Sequence, residues 1–164
     1  MTGRVQPILR YPDTRLLKPS KRVDDYGAAL VQLIDDLAAT MLASDGIGLA
    51  APQIGVYQRV VVCDLRTDPE APPEPAAFVN PVILARRGTI TWEEGCLSIP
   101  GFTGEVTRAE EVDILYENSN QIARHGTLQG LQAVCLQHEI DHLDGELFIG
   151  KAKNIQAPKR YFRP

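Results

Sequence analysis

His138 and His142, four residues apart with Glu139 beside the first, are the residues whose types and spacing could do chemistry. On an α-helix, positions i and i+4 lie about 40° apart around the axis and roughly 6 Å along it. Both imidazoles therefore share one face and can bind a single divalent metal ion. An ion so held acidifies a bound water, and the neighbouring carboxylate can move its proton, which is the equipment for hydrolysing an amide or a related bond. The bland reading is two solvated histidines on a charged helix. It fits poorly, because Leu128, Leu131, Cys135, His138 and His142 recur at helical spacing and put the histidines on an apolar, core-facing stripe. Uncompensated imidazoles there would cost free energy.

The elements that must position this helix follow from periodicity and punctuation. Asp24 and Asp25 open a helical pattern that runs to about Ser44, with either aspartate as its N-cap and glycines at 46 and 48 as its stop. Strands are predicted over 59–65, 77–84 and 88–93, and 105–115 with 121–127 read as a hairpin around Glu117-Asn118-Ser119-Asn120. The second helix covers roughly Leu128 to Leu143, with Gly145 just past its end. That order suggests an α+β domain in which antiparallel or mixed sheets pack around the histidine-bearing helix.

The whole chain limits the function classes. Its 164 residues are most simply one domain over 1–150, followed by a short basic tail over 151–164. A net charge of −4 gives no support to broad nucleic-acid binding. Apolar runs such as Val60-Val61-Val62-Cys63 are far too short to span a membrane, and the N-terminus has no signal-peptide core. Three cysteines at 63, 96 and 135 make no disulfide framework, so a reducing compartment is expected. The segment Asp68 to Pro75 reads as an exposed, extended loop.

A catalytic site of this kind takes a third protein ligand. A histidine six residues after His142 would complete one protease pattern, but that position is Phe148. A glutamate some twenty residues downstream would complete another, but nothing after Glu146 is acidic. His125 stays open and ranks as a hairpin residue. Cys96, in Glu94-Gly95-Cys96-Leu97-Ser98, is the best remaining candidate, since a thiolate beside a glycine at a strand end leaves room for a metal. Cys63, among valines, reads as core, and Cys135, one turn before His138, as a pocket wall.

Three blocks together carry a family likeness: Gly46-Ile47-Gly48-Leu49-Ala50-Ala51-Pro52-Gln53, Glu94-Gly95-Cys96-Leu97-Ser98 and His138-Glu139-Ile140-Asp141-His142. In identity, order and spacing they resemble peptide deformylase, and the likeness extends through most of residues 7–150. The resemblance implies that Cys96, His138 and His142 bind one divalent metal ion, commonly Fe(II), with zinc, nickel and cobalt as substitutes. It implies removal of formate from N-formylmethionine at the start of nascent polypeptides, with Glu139 as the proton carrier. The Gln53 side-chain amide and the Leu97 backbone N–H become the donors to the developing oxyanion. Ile47, Gly48, Leu131, Val134 and Cys135, with Trp92 at the rim, become the methionine pocket. Glu94 and Arg108 are read as a pair supporting the Cys96 turn.

Two departures stand out. Family members often carry an arginine shortly after the cysteine block, where this chain has Gly101-Phe102-Thr103-Gly104; Thr103 leaves substrate contacts beyond methionine open. Many bacterial members also continue into a long C-terminal helix used at the ribosome. Here Lys151, Lys153, Lys159, Arg160 and Arg163 make a short basic tail, read as a solvated, mobile terminus ahead of a transient contact with ribosomal RNA. The resemblance implies a monomer in a bacterial-type cytoplasm, with organellar or phage origin open. A metallopeptidase and a non-enzymatic metal- or peptide-binding module are the rival functions.

Overall fold

The computed structural model describes residues 2–158. In chain order its elements are α1 (Ala28–Ala43), β1 (Gly48–Ala50), β2 (Val60–Asp64), β3 (Pro75–Arg87), β4 (Ile90–Cys96), β5 (Ile99–Arg108), β6 (Glu111–Glu117), β7 (Ala123–Gln129), α2 (Gly130–Leu143) and β8 (Lys153–Gln156). Single 3-10 turns lie at Thr14–Leu17, Ala51–Ile54 and Phe148–Gly150. Two antiparallel sheets result, one ordered β1-β2-β3-β6-β7 and the other β4-β5-β8.

The larger sheet lies between the two helices, which explains why β2 is buried along its whole length. Val60 and Val62 point to one face, where Leu30, Leu33, Leu37 and Met41 of α1 pack; Val61 and Cys63 point to the other, against Ala133 and Leu136 of α2. A strand covered on both faces reads as a continuous apolar run rather than an alternation. Leu49 and Ala50 of β1 divide between the same two clusters. The smaller sheet has its own core, in which Ile99 and Val106 meet Leu16, Leu147 and Phe148.

Four local expectations are corrected. α1 starts at Ala28 with Gly27 as its N-cap, and the Asp25 carboxylate accepts the Gly27 N–H instead of capping the helix. The single strand predicted over 105–115 is two: β5 ends at Arg108 in the smaller sheet, and β6 begins at Glu111 in the larger. The chain changes sheets between them, and apolar pattern alone does not mark such a crossing. Leu128 and Gln129 belong to β7, paired with Val112 and Glu111. Gly130, at φ 57°, turns the strand straight into α2, a conformation that side chains disfavour. The mobile terminus is also not what is found at 153–156, because β8 pairs with β5 through Thr103–Gln156 and Glu105–Lys153. Lys151 is tied to Asp141 and Glu146, while Lys159, Arg160 and Arg163 lie outside the described residues.

Candidate metal centre and substrate cleft

β1 and β4 are each an edge strand of their sheet. They border one cleft of about 700 Å³, whose walls include Ile47 and Gly48 on one side and Trp92 to Cys96 on the other. α2 closes its floor with Leu131, Val134, Cys135, His138 and Glu139. All six residues predicted for the methionine pocket therefore line it. Val134 and Cys135 are buried, whereas Ile47, Trp92 and Leu131 are about 40% exposed and form an apolar rim. The stripe that the sequence offered as core is in part this wall: Leu131 faces the cleft, and Leu128 is strand.

The ligand atoms of Cys96, His138 and His142 all lie within 4.8 Å of one another. Helical spacing brings the imidazoles together, their ring centroids 5.1 Å apart. Cys96 arrives from the other sheet, at the tip of the β4–β5 hairpin. There Cys96 pairs with Ile99 across the two-residue turn Leu97-Ser98, while Gly95 pairs with Thr103, so residues 100–102 bulge into the cleft wall. The Cys96 Sγ is 3.3 Å from His142 Nε2. His125 is exposed in β7 and takes no part.

The groups behind the donors are already ordered. His138 Nδ1 lies 2.8 Å from Glu94 Oε1, so a proton held there leaves Nε2 as the donor to a cation. Arg108 grips Glu94 with two bonds, Nε to Oε2 at 2.5 Å and Nη2 to Oε1 at 2.9 Å, and reaches Asp141 with Nη1 at 2.9 Å. This network supports the Glu94–Arg108 pairing expected from the sequence; the Asp141 arm was missed, since nothing in the spacing marks it. Burial would raise the Glu94 pKa, but the bonds from His138 and Arg108 outweigh it and hold the carboxyl below its ordinary value.

Of the four buried side-chain polar atoms without a hydrogen-bond partner among the described residues, two lie at this site, Glu139 Oε2 and His142 Nδ1. Orphaned polar atoms are rare inside proteins. A carboxylate oxygen left bare beside three convergent soft and borderline donors is what a bound ion with its water would satisfy, so these residues fit a divalent metal. Burial pushes the Glu139 pKa up to about 7, ahead of the opposing pull of His138 and Arg108. Burial also drives the His142 pKa well below its ordinary value, as a neutral ligand requires. In His138, burial opposes the charged form, yet bonds to Cys96 and Glu94 carry its pKa well above normal.

Gln53, which sequence alone left as a loop residue, is 1% exposed on the 3-10 turn after β1. Its Oε1 accepts the Ala50 N–H at 2.9 Å, and its Nε2 faces Ser98 Oγ at 3.1 Å and Cys96 Sγ at 3.6 Å. Gly48 is required by contact: a Cβ there would sit 2.6 Å from both Glu139 Oε1 and Cys135 Sγ. Ser98 was not singled out from the sequence, although it is fully buried beside Gln53.

Comparisons with known proteins agree with this geometry. The family described as Polypeptide deformylase matches residues 5–158. The peptide deformylase of Neisseria meningitidis is 46% identical over 151 residues, covering 91% of this chain and 87% of its own. A crystal structure of a peptide deformylase from Legionella pneumophila superposes with a TM-score of 0.85 at 42% identity, covering 92% of this chain and 88% of that one. The Met-Ala-Ser-bound class I type b enzyme of Acinetobacter baumannii superposes equally well, with a TM-score of 0.85 at 35% identity and coverage of 92% and 99%. A family match along nearly the whole chain, on a fold that assembles Cys96, His138, His142 and Glu139 in one cleft, makes this chain a member of the polypeptide deformylase family.

Proposed function

We infer that this protein removes the formyl group from the N-terminal N-formylmethionine of nascent polypeptides and releases formate. The observation that carries the reading is the meeting, in an apolar cleft, of three metal-capable donors with a buried carboxylate oxygen that has no partner. The Acinetobacter relative was crystallised with Met-Ala-Ser, the product that formyl-Met-Ala-Ser leaves after deformylation.

Cys96, His138 and His142 would hold the ion, and we propose iron(II), although the same donors accept zinc. When bound, such an ion supplies Lewis acidity, lowering the pKa of a water and polarising the formyl oxygen. Glu139 Oε2 then takes the proton of the attacking water and hands it to the methionine nitrogen as the C–N bond breaks. Water oxygen ends in formate, and the amine leaves free. Gln53 Nε2 and the Leu97 N–H meet the oxygen on which negative charge grows; both belong to elements whose position is set before substrate arrives. Val134 and Cys135 receive the methionine side chain, with Ile47, Leu131 and Trp92 at the rim. The free edges of β1 and β4 face the same cleft, so an extended peptide can add main-chain hydrogen bonds to either.

This reading puts the enzyme, as a monomer, in the cytoplasm where chains emerge. Among the described residues no helix is long and apolar enough to cross a membrane. A metallopeptidase is disfavoured, because the third ligand comes from a hairpin cysteine. The test is formate release from formyl-Met-Ala-Ser by protein prepared without oxygen, with its metal content measured. Formate is expected with the internal peptide bonds intact; cleavage of those bonds without formate would overturn the reading.

A further inference from the structure

Gln53 can serve the oxyanion only if its amide presents nitrogen, not oxygen, to the reaction centre. Three contacts bear on that. The Ala50 N–H can only donate, so its bond to Gln53 Oε1 fixes which end of the amide is which. The backbones of Gln53 and Ser98 are pinned by one extended segment, since Leu9 N–H donates to Gln53 O at 2.7 Å and Tyr11 N–H to Ser98 O at 2.8 Å. With both main chains held and Ala50 fixing the oxygen end of the amide, the Gln53 Nε2 to Ser98 Oγ bond, at 3.1 Å and wholly buried, holds the nitrogen end.

We propose that Ser98 is a positioning residue for the reaction: its hydroxyl oxygen accepts one hydrogen of the Gln53 amide and so aims the other at the oxyanion. This rests on the deformylase reading above. The amide nitrogen carries two hydrogens. One is spent on Ser98, and the other faces Cys96 Sγ, 3.6 Å away, on the side of the amide towards the reaction centre. Without the serine oxygen, Nε2 loses a buried acceptor, and the amide, held only at its oxygen end by Ala50, tilts its nitrogen end about its last torsion, a terminal sp³–sp² bond with a broad well. A donor must be in place before charge develops if it is to lower the barrier. Ser98 therefore acts on kcat through Gln53 and leaves both methionine binding and the ion unaffected.

The experiment is a double-mutant cycle with formyl-Met-Ala-Ser, using Ser98→Ala, Gln53→Ala and the pair, each loaded with the same metal. Ser98→Ala should lower kcat about tenfold with KM and metal content unchanged, the scale of one orienting hydrogen bond. In the Gln53→Ala background the same change should alter kcat less than about twofold, because the group it orients is gone. Equal losses in both backgrounds, a parent-like kcat in Ser98→Ala, or a loss traced to KM or to missing metal would each overturn the proposal. Should Ser98→Ala not fold, Ser98→Gly enters the same cycle. Failure of the parent chain to release formate would instead strike the deformylase reading itself.

Discussion

The two helices pack on opposite faces of one sheet and bury polar groups to opposite ends. α1 buries Asp36 and Thr40 among its leucines, and both are satisfied from the N-terminal segment. Arg4 N–H and Gln6 Nε2 donate to the Asp36 carboxylate at 2.8 and 2.7 Å, and Gln6 N–H donates to Thr40 Oγ1 at 2.9 Å. α2 buries Gln137, His138, Glu139 and His142. Gln137 is saturated by Ala109 and Ala133, yet Glu139 Oε2 and His142 Nδ1 have no partner among the described residues. A satisfied buried polar group strengthens a fold, and an unsatisfied one costs free energy unless something else completes it. The contrast separates a helix built for stability from one held ready for chemistry.

Breaking the chemical side of that contrast should have the largest effect. Glu139→Ala is expected to lower kcat by ~10²–10⁴-fold while metal content stays at parent level, read as formate release beside elemental analysis. Retained turnover would remove Glu139 from the proton-carrying role. The same carboxyl has a stability signature in metal-free protein. Its folded pKa of about 7 lies above the ordinary value of 4.5, so the folded state holds the proton more tightly than the unfolded chain. Stability from this group is full below pH ~4.5 and falls as pH rises to about 7, by on the order of 3 kcal/mol. Glu139→Gln should remove that part of the slope in denaturant titrations across the window, leaving the contributions of the other groups.

Crowding the cleft comes next. A Cβ at Gly48 would press on Glu139 Oε1 and Cys135 Sγ, so Gly48→Ala should cost about 100-fold in kcat/KM by misplacing the carboxylate. Parent-like kinetics would mean that α2 yields to the contact. Arg108→Ala strips the clamp from Glu94 and is expected to weaken metal retention by ~10–100-fold in competition with a chelator. Unchanged retention would count against the Glu94–Arg108 support of the ligand His138. The smallest functional effect belongs on α1: Asp36→Ala should lower stability by about 1–3 kcal/mol and leave kcat/KM of the folded enzyme intact. A matching fall in kcat/KM would erase the distinction between the helices.

Sequence legibility followed the same division. His138, Glu139 and His142 lie within five consecutive residues on one helix, and helical geometry by itself puts the imidazoles on one face. The apolar strand β2 and the body of α1 were equally readable, since local periodicity reports burial. The sheet crossing at Ala109 and Glu110 was not readable, because both strands alternate in the same way whichever sheet they join. The strand β8 was missed because a short polar stretch gains its partner from β5 and not from its own pattern.

Amino-acid order by itself determined the histidine pair, the adjacent carboxylate and, through the likeness of three separated blocks, the family. Tertiary structure decided what those residues meet. It carried Cys96 to within reach of His142 from a different sheet, turned Gln53 into a buried donor held by Ala50 and Ser98, and left one oxygen of Glu139 bare. The physical reason is range: a helix fixes relations between residues a turn apart, while contacts across 40 or more positions depend on how sheets and helices pack.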